Sequence, residues 1–203
     1  MIISQLQVGA MGNFTYVLGD REGGQGAVID PPAEVERVAA ELARHRLSLA
    51  WVLNTHSHLD HIGGNEALRA RGARLVAHPA APTRPDIAPA DGETIPLGEL
   101  AIRVLHTPGH SADSVCFVAG GHLFSGDTLF VGECGRVDLP GSDPRAMHES
   151  LLTRIRGLPD ALIVMPGHDY GPLPSRTLGE EKRLNYTLAP RTLKQFLAFM
   201  AAP

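Results

Sequence analysis

Short apolar runs separated by turn residues fill the first half of the chain. Runs of four to eight residues bounded by Gly, Pro, Asp or Asn predict strands over Met1–Val8, Phe14–Gly19, Gln25–Asp30, Leu49–Asn54 and Arg74–Ala77. The same signal recurs over Leu100–His106, Ser114–Val118, His122–Ser125 and Leu162–Met165. Helical spacing appears between and after them. Val35, Val38, Ala39 and Leu42 follow Asp30-Pro31-Pro32, and Leu193, Phe196, Leu197 and Met200 lie near the end. Met147, Leu151, Ile155 and Leu158 form a third stripe, with Asp143 at the cap and Pro144 in the first turn. Such stripes read as core-packing faces. The order predicts a mixed α/β layered chain with sheets inside and helices outside. With no repeat and no long linker, residues 1–203 read as one domain, and the proline-rich stretch Ala77–Pro89 as an ordered surface loop.

The apolar run Leu49–Leu53 leads into Asn54-Thr55-His56-Ser57-His58-Leu59-Asp60-His61. A buried strand thus delivers three imidazoles and a carboxylate into one loop. These are the donors that borderline divalent cations prefer. Crowded together without a cation, such groups would repel one another. In an extended loop His56, His58 and Asp60 share one face and His61 points away, so a turn is needed to gather all four. Gly63-Gly64 lets the backbone turn close by. Three further candidates sit beside glycine just past predicted strands: His110, Asp127 and His168. Together they complete a seven-ligand set.

Composition narrows the function. Lys and Arg number 18 and Asp and Glu 22, a formal charge of −4, which argues against a nucleic-acid binder. No apolar run reaches the ~18 residues of a membrane span, and the first residues lack a basic, then apolar, leader pattern. The two cysteines, Cys116 and Cys134, cannot build a disulfide framework and fit a reducing cytoplasm. A Gly-x-Ser-x-Gly elbow is absent, and neither cysteine has an evident partner base.

The motifs His56-Ser57-His58-Leu59-Asp60-His61, His110, Gly126-Asp127-Thr128 and Gly167-His168 resemble the metallo-β-lactamase-fold hydrolases. The likeness is to the short, single-domain type of the hydroxyacylglutathione hydrolase (glyoxalase II) branch, from Ile2 to about Asn185. It implies an α/β fold, a four-layer αββα sandwich. It also implies two divalent ions, zinc first, with iron or manganese as alternatives. His56, His58 and His110 would hold one ion and Asp60, His61 and His168 the other. Asp127 would bridge them, with Asp60 and Asp127 as the catalytic carboxylates. Two cations roughly 3.5–4 Å apart lower the pKa of a shared water from ~15.7 towards ~7 and polarise a carbonyl. The implied reaction is therefore hydrolysis of a thioester, acyl-glutathione to acid plus thiol, by metal-bound hydroxide. The expected partner is a small thiol-derived substrate, with no nucleic acid and no membrane.

On the substrate side, Arg136 in Gly132-Glu133-Cys134-Gly135-Arg136 either meets a substrate carboxylate or forms a salt bridge with Asp138. Tyr170 matches a tyrosine that relatives place near the thiol, or else packs. Lys182 and Arg183 read as a solvated helix face and Cys134 as a packed thiol. His45, His78, His106, His122 and His148 are assigned no metal. Larger glyoxalase II enzymes add a helical domain that binds glutathione, whereas only 35 residues, room for two helices, follow His168 here. The alternative is an iron-dependent glutathione persulfide dioxygenase, similar at Cys134-Gly135-Arg136, His168-Asp169-Tyr170 and Glu180-Glu181-Lys182-Arg183. It would hold one iron through His56, His110 and Asp127. Leu59, Gly63-Gly64-Asn65 and Leu139-Pro140-Gly141 look more like the hydrolase.

Overall fold

Five strands, Ile2–Val8 (β1), Asn13–Gly19 (β2), Gln25–Ile29 (β3), Ser48–Leu53 (β4) and Arg74–Val76 (β5), form one sheet in chain order. Its first three are antiparallel and its last three parallel. The structure is a computed structural model describing residues 1–201; the last two residues of the expected domain lie outside the described residues. Thr94–Leu97 (β6), Leu100–His106 (β7), Val115–Ala119 (β8), His122–Gly126 (β9), Ile163–Pro166 (β10) and Arg176–Thr177 (β11) form a second sheet. Its order is β11-β10-β9-β8-β7-β6, with β9 and β10 parallel. The helices are Glu36–Arg44 (α1), Leu59–Ile62 (α2), Asn65–Arg69 (α3), Pro144–Glu149 (α4), Leu178–Leu184 (α5) and Leu193–Met200 (α6).

Side-chain alternation along each strand builds four layers. On β2, Phe14, Tyr16 and Leu18 point into a core shared with Ile102, Val104, Phe117 and Phe124 of the other sheet. Val17, one step out of phase, joins Val28, Val52 and Leu75 against Val38 and Leu42 of α1 and Leu68 of α3. The second sheet does the same: Cys116, Leu123 and Val164 pack under Met147, Leu178 and Phe196 of α4, α5 and α6. Both faces of each sheet are therefore covered, giving the αββα sandwich. Double coverage also explains why these strands read as apolar runs rather than as strict alternation. Fully burying one such Leu or Phe is worth ~1.5–3 kcal/mol.

All nine predicted strands are present within a residue or so of their expected ends. Two strands lack a usable sequence signal. Strand β6 contains Pro96, tolerated because β6 is an edge strand, and β11 is two residues long. Asp143 caps α4, accepting from the Arg145 N–H at 2.8 Å. The helix then continues through Ser150–Ile155 as wider π turns, so Leu158 lies past its end. Two helices, α5 and α6, follow His168, each opened by a capping box (Thr177 with Glu180, Thr192 with Gln195).

Candidate metal centre

Every predicted ligand lies just past a strand. After β4 the backbone bends at Thr55 and His56, is extended at His58 (φ −65°, ψ 145°), and then winds into α2. That single turn brings His61 back to the same side as His56. It supplies the turn that an extended loop lacks. His110 lies in the loop between β7 and β8, while Asp127 and His168 follow the parallel neighbours β9 and β10. Gly126, at the end of β9, has φ +49°, and a Cβ there would meet Thr55 Oγ1 at 2.4 Å. Only glycine turns that corner without strain. At Gly167 a Cβ would stand 2.3 Å from Asp127 Oδ1, so this glycine gives the carboxylate its space.

The seven residues converge as two groups. His56, His58 and His110 offer donor atoms within 4.8 Å of one another, and so do Asp60, His61 and His168. In the first group His58 Nδ1 lies 3.1 Å from His56 Nε2 and 2.9 Å from His110 Nε2. In the second, His61 Nε2 lies 3.1 Å from His168 Nε2 and 3.3 Å from Asp60 Oδ2. Asp127 stands between the groups. Its Oδ2 is 3.5 Å from His110 Nε2 and 3.3 Å from His168 Nε2, and its Oδ1 is 3.5 Å from His61 Nε2.

The far sides of the rings decide where the protons sit. His110 Nδ1 faces the Arg136 carbonyl at 2.9 Å and His168 Nδ1 the Met11 carbonyl at 3.1 Å. A carbonyl only accepts, so both Nδ1 atoms carry hydrogen and both Nε2 atoms present lone pairs inward. His61 Nδ1 likewise donates to the Asp30 carboxylate. Thr55 gives its hydroxyl hydrogen to Asp30 Oδ2, so its oxygen accepts from His56 Nδ1. Four imidazole lone pairs and two carboxylates thus face one another at 3–3.5 Å. Asp127 Oδ1 is buried without a hydrogen-bond partner. This donor set is satisfied by cations and by little else, so the residues fit divalent metal.

The charge states of His56, His110, Asp60 and Asp127 agree with that reading, whereas His61, raised, must release a proton from Nε2 before that nitrogen can meet a cation. Burial, then the neighbouring His61, holds His56 well below the usual imidazole range, and burial lowers His110 too. Both offer neutral nitrogen near neutral pH. Burial opposes ionisation of Asp127, but His61 and the other imidazoles outweigh it and keep the carboxyl ionised. Asp60 is lowered in the same way, against its partial burial, by His61 and Asn13. His61 is raised despite its burial, because Asp127, Asp30 and Asp60 surround it.

Two supporting residues escaped the sequence reading. Asp30, noted there only as a strand end and a helix-start signal, is buried just past β3 and accepts from Thr55 N–H, Thr55 Oγ1 and His61 Nδ1. Its position after an apolar strand matches that of the ligands, and this was the available signal. Although its oxygens lie close to His56 and His61, those three bonds occupy them, which makes it an orienting carboxylate. Asn13, at the start of β2, donates to Asp60 Oδ2 at 2.8 Å and carries no motif at all.

An open cavity of about 180 Å³ lies over the centre, with Met11, Phe130, Arg136, Leu139 and Tyr170 around it. Tyr170 is exposed and stacks on His168 at 4.6 Å. Arg136 reaches the cavity, but its guanidinium is bound in parallel by Asp138 at 2.9 and 2.8 Å. Lys182 donates to the Leu158 carbonyl and Asp160, and Arg183 is exposed. Burial raises the Cys116 thiol to about 11 and the Cys134 thiol to about 12. Both are packed, un-ionised thiols. The other five histidines belong to none of the three-donor groups among the described residues.

A family model described as the metallo-beta-lactamase superfamily matches residues 8–84 and 73–168. A hydroxyacylglutathione hydrolase of Anaeromyxobacter dehalogenans (strain 2CP-C) is 42% identical over 161 residues, covering 78% of this chain and 62% of that protein. The chain therefore spans less than two thirds of that relative. The mitochondrial persulfide dioxygenase ETHE1 of Homo sapiens is 35% identical over 177 residues, covering 85% of this chain and 70% of that protein. The crystal structure of ETHE1 from Myxococcus xanthus superposes with TM-score 0.94 at 34% identity, covering all of this chain and 92% of that one.

Proposed function

The chain belongs to the metallo-beta-lactamase superfamily, and we propose that it is a metal-dependent hydrolase of a thioester of the hydroxyacylglutathione type. One observation carries the reading: two separate three-donor groups share a single carboxylate, Asp127. That is a place for two cations. His56, His58 and His110 would hold one, and Asp60, His61 and His168 the other, with zinc as the native metal. A bound pair supplies Lewis acidity to a carbonyl and a water of lowered pKa.

The chain's own groups do the rest. Asp127, ionised and facing both sets, would offset the charge of the cations held there and accept a hydrogen bond from a water beside them. Asp60, held by the Asn13 amide, would face the second cation. Tyr170 and Phe130 wall the cavity beside the position of the reacting carbonyl. Tyr170, un-ionised at neutral pH because burial and then the two aspartates raise its hydroxyl, offers a donor for the thiol arm. Arg136 meets a substrate carboxylate when it exchanges Asp138 for the ligand. The named activity of the Anaeromyxobacter relative supports the thioester. The buried free thiols Cys116 and Cys134 support a cytoplasmic location.

A second reading, a one-iron persulfide dioxygenase using His56, His110 and Asp127, is favoured by the fold match across 92% of the Myxococcus ETHE1 chain. One experiment separates the two. Protein purified without added metal is analysed for elements. It is then assayed for thiol release from an acyl-glutathione and for oxygen uptake with glutathione persulfide. Two equivalents of zinc and thiol release are expected; one iron with persulfide-dependent oxygen uptake replaces the hydrolase reading.

A further inference from the structure

The two donor groups are braced by different parts of the chain. His110 is held by the Arg136 carbonyl, in the segment after β9. The other group leans on the turn between β1 and β2. There His168 Nδ1 donates to the Met11 carbonyl at 3.1 Å, the Asp169 N–H to the Gly12 carbonyl at 2.8 Å, and the Phe14 N–H to the Gly167 carbonyl at 2.8 Å. Asn13 follows that turn as the first residue of β2. It is buried, and its Nδ2 donates to Asp60 Oδ2 at 2.8 Å. That oxygen is the one facing His61 Nε2 at 3.3 Å and His168 Nε2 at 3.5 Å. Asp60 itself sits on a four-residue helix with 28% of its side chain open to solvent. Packing alone leaves its carboxylate free to swing towards water.

We infer that Asn13 is a positioning residue that sets the affinity of the second cation position, Asp60–His61–His168, independently of the first. The inference rests on the two-cation reading above and deepens it. The amide N–H aims Asp60 Oδ2 into the space between the two imidazoles. Without that donor, the position keeps His61, His168 and a share of Asp127, and Asp60 turns outward. The Asn13 side chain donates to Asp60 and to none of His56, His58 and His110 among the described residues, so the first position should be unaffected. Asn13 therefore governs whether the centre works with two cations, as hydrolysis needs, or with one.

Metal binding tests this without any assay of turnover. Wild type and Asn13→Ala are stripped of metal and titrated with Zn²⁺ against a chromogenic chelator. Wild type should bind in two steps. In Asn13→Ala the first step should be unchanged, which also shows an intact fold, and the second weakened about 10–100-fold, as for other groups that orient metal ligands. Proton NMR of the same samples should retain the downfield His168 Nδ1–H resonance, because the turn still holds that ring. If this resonance vanishes together with the second step, the turn has loosened and the positioning role is overturned. An unchanged second step also overturns it. Asn13→Ser, polar but too short to reach Asp60, should repeat the weakening and serves if the alanine variant does not fold. A single step in wild type sinks the two-cation reading itself, and the inference with it.

Discussion

Asp127 stands between the two donor groups, and its replacement should be the most costly. Both donor groups face it, and one of its oxygens has no partner within the protein. Asp127→Ala should abolish binding of both cations and with it turnover, read by elemental analysis of the purified variant. Full turnover would show that no shared carboxylate is needed. Cys134 is the opposite case. Its thiol stands at about 12 and is buried, so Cys134→Ala should keep normal metal content and activity, losing only ~1 kcal/mol of packing. Lost activity at normal metal content would reveal thiol chemistry. Arg136 shows the limit of residue-type reasoning. Both of its sequence readings name a carboxylate partner, and in this structure the partner is Asp138.

At the scale of elements, helix α5 supports the centre from a distance. Glu181 is fully buried and accepts from the Gly132 N–H, from Asn185 Nδ2 and from Arg176. Asn185 Nδ2 also donates to the Phe130 and Glu133 carbonyls. These bonds clamp the segment that carries Phe130 and the Arg136 carbonyl, and so reach the His110 ring. Glu181→Ala would leave Arg176 and the Gly132 N–H unpaired. Breaking a buried pair costs about 3–5 kcal/mol. The variant should lose stability of that order in urea unfolding and bind its first cation more weakly. A loss below ~1 kcal/mol would mean that the segment stands without the clamp. Short elements such as α2 carry too few residues for a periodic signal, yet α2 gathers the ligands. The extended-loop reading of residues 56–61 left His61 on the wrong side for that reason.

For the whole molecule, metal and protons compete for the same groups. His56 and His110 are lowered, so the folded chain resists protonating them. Their contribution to stability is present above the unfolded imidazole value of ~6.5 and is lost as pH falls below it. His61 is raised, so its contribution runs the other way, present below ~6.5 and lost as pH rises through its folded value. Lowered Asp60 and Asp127 contribute above ~3.9 and lose that contribution as pH falls further. The metal-free chain should therefore be most stable near pH ~6.5, weakening as pH falls because of His56 and His110 and as it rises because of His61, and weakening further below ~4. The loaded chain gains about 2.7 kcal/mol when free metal is 100 times its Kd, and protons should erode that gain as pH falls, first at the raised His61 and then as pH drops through the lowered values of His56 and His110. Thermal melts of both forms between pH 4 and 8 test this, and a gap that stays constant to pH 5 would refute it. Sequence alone determined nine of the eleven strands, the α/β layer class and the seven donor residues to expect at strand ends, because apolar runs and ligand types are local signals. Tertiary structure decided the rest. The division into two groups sharing Asp127, the Asp30 and Asn13 supports and the α5 clamp join residues far apart in the chain. Their bonds exist only once both sheets have packed and the loops at their ends have met.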